Sequence, residues 1–130
     1  MKIAVIGAGA MGSLFGAYLA KAGAAVTVVD VWPEHVAAIR GQGLTLSEAA
    51  GDEVVRLDAA LGTGGMEPVD LVILFVKSAA TQAAATDAAA LLRPGGRVLT
   101  LQNRLGNAEV VAEIVGAERV VAGTTAQGAT

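Results

Sequence analysis

The stretch Lys2-Ile-Ala-Val-Ile6 is a short apolar run with β-branched members that stops at Gly7, the pattern of a buried strand. From Met11 the period changes. Large apolar residues fall at Leu14, Phe15, Tyr18 and Leu19, which predicts a helix with these side chains on its inner stripe, stopped at Gly23. Ala25-Val-Thr-Val-Val29 returns to a strand ending at Asp30, and Pro33 suits the first turn of a helix to about Arg40 with Val36 and Ile39 on one face. Residues 43–46 and 53–57 predict short strands, and 62–68 a loop. Residues 69–76 are almost uninterrupted Val, Ile, Leu and Phe, the signature of a central parallel strand covered on both faces. Ser78 is an N-cap for an alanine-rich helix to Leu92, ended by Pro94-Gly95-Gly96. A strand over 97–101, a helix over 107–115 and a strand over 119–122 complete the chain. This alternation predicts an α/β fold with a doubly wound, mostly parallel sheet, in one domain spanning residues 1–130.

Composition removes several classes of function. Charged residues are 16% of the chain, the net charge is -3 and there is no run of Lys or Arg, so no footprint for nucleic acid or anionic lipid is present. The absence of cysteine excludes disulfides and thiolate metal sites, and a single histidine, His35, leaves little scope for a zinc centre. His35, two residues after Pro33, reads as a surface helix residue, and no metal is expected. Lys2 with the apolar run ending in Ala17-Tyr-Leu-Ala-Lys-Ala-Gly-Ala24 imitates a secretory signal, but glycines at 7, 9, 12 and 16 interrupt it and removal would delete the first strand. A cytoplasmic location is the expectation.

Candidate chemistry begins at Gly7-Ala8-Gly9-Ala10-Met11-Gly12. A GxGxxG match alone is weak in a chain with 17 glycines, and gains force here because it joins a strand to a helix. Gly7 permits a tight turn, Gly9 leaves room for a pyrophosphate against the backbone, and Gly12 allows close packing of the helix. The phosphates would lie on the N-terminus of the first helix, where unpaired N–H groups favour an anion. Asp30 ends the second strand, placed to accept hydrogen bonds from the adenosine ribose hydroxyls. A carboxylate there repels a 2′-phosphate, and Val31-Trp32-Pro33-Glu34 supplies no arginine to hold one, which favours NAD over NADP unless Arg40 reaches back. Lys77 and Asn103 follow predicted strands and so belong at the carboxyl edge of the sheet.

The motifs GAGAMGSLFGAYLAKAG, LFVKS with Lys77, LQNRLGN with Asn103 and AGTTAQGAT, in this order, resemble the N-terminal part of the ketopantoate reductase (2-dehydropantoate 2-reductase) family. The resemblance implies a Rossmann-type domain that binds NADP(H) in an oxidoreductase of pantothenate biosynthesis, reducing a small 2-keto acid. It assigns Lys77 and Asn103 to the cleft for nicotinamide and substrate as candidate catalytic residues, and Ala129 to a cofactor contact. Arg104 stands where the family commonly has glycine, and Asp30 where a basic residue commonly follows the second strand. The family also continues into a helical second domain carrying the principal acid lysine, so these 130 residues are expected to bind cofactor with little or no turnover. Two alternatives remain: a cofactor-binding module without catalysis, and the Rossmann domain of a related 3-hydroxyacid or glycerol-3-phosphate dehydrogenase. Apolar surface left uncovered by a missing domain would favour a homo-oligomer.

Overall fold

A computed structural model describes residues 1–7, 9–48, 51–75, 81–100 and 107–122. Its centre is a six-stranded parallel sheet built from β1 (Lys2–Ile6), β2 (Ala25–Val29), β5 (Asp58–Ala60), β6 (Val69–Leu74), β7 (Leu92–Thr100) and β8 (Val120–Ala122). The strands lie in the order β5-β2-β1-β6-β7-β8. The chain therefore winds outward from β1 in one direction and resumes at β6 on its other side. Helices α1 (Ala10–Lys21), α2 (Pro33–Gln42), α3 (Thr81–Leu91) and α4 (Asn107–Val115) connect the strands.

The period of two along β1 divides the core. Ile3 and Val5 join Val26, Val28 and Ile73 in a cluster closed by Val36 and Ile39 of α2, with Leu19 and Ala20 of α1 packed against it. Ala4 and Ile6 point the other way, into a cluster with Val72, Leu74 and Val98 that is closed by Ala84, Ala85 and Ala88 of α3 and Val111 and Val115 of α4. Each fully buried Val or Ile contributes roughly 1.5–3 kcal/mol, so the two clusters together hold the sheet between its helical layers. Alanine dominates α3 because that helix packs against both the sheet and α4, where larger side chains have no room.

Three sequence expectations change. On α1, Leu14 and Tyr18 are 39% and 45% exposed, whereas Gly12, Gly16 and Ala17 are buried. A Cβ on Gly16 would stand 3.1 Å from Val28 Cγ2. The helix lies so close to the sheet that absence of side chain selects the inner face there. The two middle strands, β3 (Leu44–Glu48) and β4 (Gly51–Val55), form a separate antiparallel hairpin. Leu46 and Val55 of the hairpin cover Ala17 of α1, and Lys21 Nζ pairs with Glu53 Oε1 at 2.7 Å. The third strand of the main sheet is β5, three residues that pair with Thr27, Val28 and Val29. Finally, β7 starts at Leu92, with Pro94-Gly95-Gly96 inside the strand as an irregularity where the register against β6 shifts. Gly95 takes φ +82°, so the segment bends and regains the ladder at Arg97.

Candidate functional site

The reversal of winding opens a crevice at the carboxyl ends of β1 and β6, where open α/β sheets bind ligands. Gly7 enters it with φ +102°, a conformation that side chains disfavour, and its N–H donates to Val29 O at 2.8 Å. Across the crevice, Phe75 N–H donates to Ile6 O at 2.9 Å. These bonds fix the turn against both neighbouring strands.

The other two glycines of the motif differ physically. A Cβ on Gly12 would lie 1.8 Å from Gly7 O, so this residue is required by the fold itself. Gly9 is the N-cap of α1 at φ -68° and ψ -168°, backbone angles open to other residues, and a Cβ there would meet nothing within 4 Å among the described residues. Its carbonyl accepts the Ser13 N–H at 2.8 Å, no side chain caps the helix and no acidic residue lies in the first turn. The first amides of α1 have no intrahelical acceptor, and the positive end of the helix dipole lies behind them. Neither conformation nor packing against the described residues requires glycine at position 9, which fits a pyrophosphate resting against that backbone.

Asp30 is half-buried at the end of β2. Its N–H donates to Ala60 O at 3.0 Å, and its Oδ1 accepts the Val31 N–H at 2.6 Å. One carboxylate oxygen is thus held by backbone, and Oδ2 has no partner among the described residues. Arg40 donates Nε–H to Ala59 O at 2.7 Å, covering a carbonyl on the outer edge of β5. His35 lies half-buried in α2. Among the described residues there is no group of acids and histidines able to hold a metal, and no helix long and apolar enough to cross a membrane. Ala8, Lys77, Ser78, Asn103, Arg104 and Ala129 lie outside the described residues, as do the side chains of Ala10 and Met11.

Sequence reasoning treated Phe75 as one more strand residue. In the structure its ring packs on Phe15 with centroids 5.2 Å apart, and its Cβ would be 3.6 Å from a Cβ on Gly12. Phe75 thereby forms a wall of the crevice beside the glycine turn. Its place near the carboxyl end of the predicted strand over 69–76 was the available signal.

A parallel sheet with this strand order, a glycine turn feeding a helix N-terminus, and an acid at the end of the next strand define a Rossmann-type domain of the dinucleotide-binding class. The sequence pattern of the family described as Ketopantoate reductase PanE/ApbA matches residues 3–130, and the chain belongs to that family. The 2-dehydropantoate 2-reductase of Halobacterium salinarum is 42% identical over 132 residues, covering 99% of this chain and 43% of that protein. Among solved structures, a PanE/ApbA family ketopantoate reductase from Ralstonia eutropha JMP134 superposes with a TM-score of 0.82 at 37% identity, covering 94% of this chain and 40% of that one. The ternary structure of D-mandelate dehydrogenase with NADH and anilino(oxo)acetate gives 0.86 at 35% identity, covering 95% and 40%. The chain thus spans less than half the length of these relatives.

Proposed function

We propose that these residues form the cofactor-binding part of a nicotinamide-dependent 2-keto acid reductase of the 2-dehydropantoate 2-reductase type. The observation that carries the reading is Gly9, a glycine that neither its backbone angles nor the described residues around it require, at a helix N-terminus with no side-chain cap. Gly7 holds the turn and the first amides of α1 bind the pyrophosphate. Asp30 receives the ribose hydroxyls on its free oxygen, since Oδ1 is engaged by Val31. When bound, the reduced nicotinamide supplies a hydride to the keto carbon.

NAD is the preferred cofactor in this reading. Asp30 opposes a 2′-phosphate, Val31 to Glu34 add no cation, and Arg40 is tied by Nε to the β5 edge. The NADH held by the D-mandelate dehydrogenase relative supports the same choice. Lys77 and Asn103 follow β6 and β7 in sequence, and are assigned to the substrate side of the cleft, Lys77 supplying positive charge toward the keto acid and Asn103 orienting through its amide. A second reading keeps this chemistry with an aromatic 2-keto acid as substrate, on the strength of the likeness to D-mandelate dehydrogenase. Calorimetric titration with NADH and NADPH tests the cofactor reading, and assays of the chain joined to a relative's helical domain, with ketopantoate and with a phenyl-substituted 2-keto acid, separate the two substrates. No binding of either dinucleotide would remove the reading. Turnover of only the aromatic acid would move the substrate to the second one.

A further inference from the structure

At the amino edge of the sheet, opposite the glycine turn, β6 and β7 do not advance in step. Between the pairs Val69↔Leu92 and Leu71↔Arg97, β6 moves on two residues and β7 five, so the segment Arg93-Pro94-Gly95-Gly96 loops out of the ladder. The loop is pinned by its glycines. Gly95 takes φ +82°, and a Cβ on Gly96 would stand 2.9 Å from both Arg93 O and Leu92 Cδ2. Between this loop and the start of β6 lies a cleft of about 460 Å³, whose lining includes Asp70, Leu71, Arg93, Pro94 and Arg97.

The charges of the cleft do not cancel. Both oxygens of Asp70 are engaged within the fold: Oδ2 accepts the Lys2 backbone N–H at 2.8 Å, and Oδ1 lies 3.1 Å from Arg93 Nη1. Arg93 Nη2 also donates to Pro68 O at 3.3 Å. Arg97 has no carboxylate partner among the described residues. Its Nη1 donates to the backbone carbonyl of Glu118 at 3.0 Å, which orients the guanidinium without neutralising it. Both forks keep further N–H donors, and their orientation is set before any ligand arrives.

We infer that this cleft is an anion site separate from the dinucleotide crevice, and that it takes a small organic phosphate. Arg97 binds the phosphate oxygens with Arg93 as second donor, and the body of the molecule lies on Leu71 and Pro94. A carboxylate offers two oxygens in one plane and is served by a single guanidinium fork. A phosphate monoester offers three oxygens and up to two charges, which suits two forks that meet it from different residues.

Phenyl phosphate, a dianion on a flat apolar body, is the probe, and the amide NMR spectrum of isotope-labelled protein is the readout. The probe should shift the amides of Gly95, Gly96 and Arg97, and should bind at least about threefold more tightly than inorganic phosphate, which has no body to lay on Leu71 and Pro94. Arg97→Gln, which keeps a donor for Glu118 O and loses the charge, should weaken it roughly tenfold or more. Arg97→Lys, which keeps the charge and loses the fork, should weaken it about threefold. Because a phosphate can also enter the glycine turn, the titration is repeated in Gly9→Val, where the shifts at Gly95, Gly96 and Arg97 should persist. Saturation that leaves these three amides unmoved, or equal affinity in the parent and in both Arg97 variants, overturns the site. Phenylacetate, the carboxylate of similar body, should bind roughly tenfold more weakly than phenyl phosphate, and equal affinity would overturn the assignment to a phosphate.

Discussion

Replacing two glycines of one motif separates what the fold needs from what a ligand needs. In Gly12→Ala the new Cβ would stand 1.8 Å from the carbonyl oxygen of Gly7, and both partners are backbone, so no rotamer change relieves the contact. Helix α1 has to retreat, which loosens Ala17 from the hairpin and the Phe15 ring from Phe75. Overpacking of this kind costs about 1–3 kcal/mol, and a rigid backbone clash belongs toward the upper end. For a chain of this size that is a fall in melting temperature of roughly 5–12 °C. Gly9→Val differs: the backbone angles suit a side chain, none of the described residues comes within 4 Å, and the loss is at most about 1 kcal/mol from the poorer N-cap. Its isopropyl group fills the space assigned to the pyrophosphate, so NADH should bind at least tenfold more weakly, about 1.4 kcal/mol or more. Thermal unfolding followed by circular dichroism, with calorimetric titration of NADH on both folded variants, measures the two effects. A Gly12→Ala protein melting with the parent would refute the packing argument. A folded Gly9→Val protein with unchanged NADH affinity would refute the pyrophosphate site.

Asp30 sets the second expectation: NADH should bind roughly tenfold or more tightly than NADPH, and Asp30→Asn should narrow that gap, both read by calorimetry. Tighter NADPH in the parent chain would end the ribose role of Asp30 and turn attention to Arg40. Glu67 gives a pH test, because a hydrogen bond from the Lys2 ammonium, and then its charge, hold the carboxyl below its ordinary value of 4.5. With the folded value depressed, the pair stabilises above the unfolded value and the contribution disappears as pH falls through the folded one. Glu67→Gln should therefore melt slightly lower than the parent near neutral pH in low salt, with the difference gone at about pH 2 and also in high salt; a difference that persists at about pH 2 contradicts the assignment. Leu14 and Tyr18 lie four residues apart on the outer side of α1, both substantially exposed, and we expect this surface to support a dimer measurable by light scattering and dissolved by Leu14→Glu. A monodisperse monomer at high concentration would count against it.

The strand and helix order was legible because period and punctuation are local. Ile3 and Val5 alternate with Ala4 and Ile6, Pro33 opens α2 where a proline costs no hydrogen bond, and α4 spans Asn107–Val115 as its pattern predicts. The glycine turn and Asp30 were legible for the same reason: a strand, a turn, a helix and an acid at the end of the next strand are adjacent in the chain. The β5 strand was not, since three residues carry no period, and they become a strand only because β2 offers an open edge. Nor was the inner face of α1, where periodicity weights the largest side chains while the distance between helix and sheet selects the smallest.

What the sequence determined by itself was therefore the class of fold, the position of the glycine turn and the acid at the end of β2. The tertiary structure decided which glycine serves packing and which leaves space, by bringing the carbonyl of Gly7 against Gly12 and none of the described residues against Gly9. It also brought the residues that follow β2 and β5 to one edge of the sheet through the pairing of those strands, residues far apart in the chain. The reason is common to both. Local pattern encodes which way a residue faces, but the gap a side chain must fill is set by the segment that arrives opposite it.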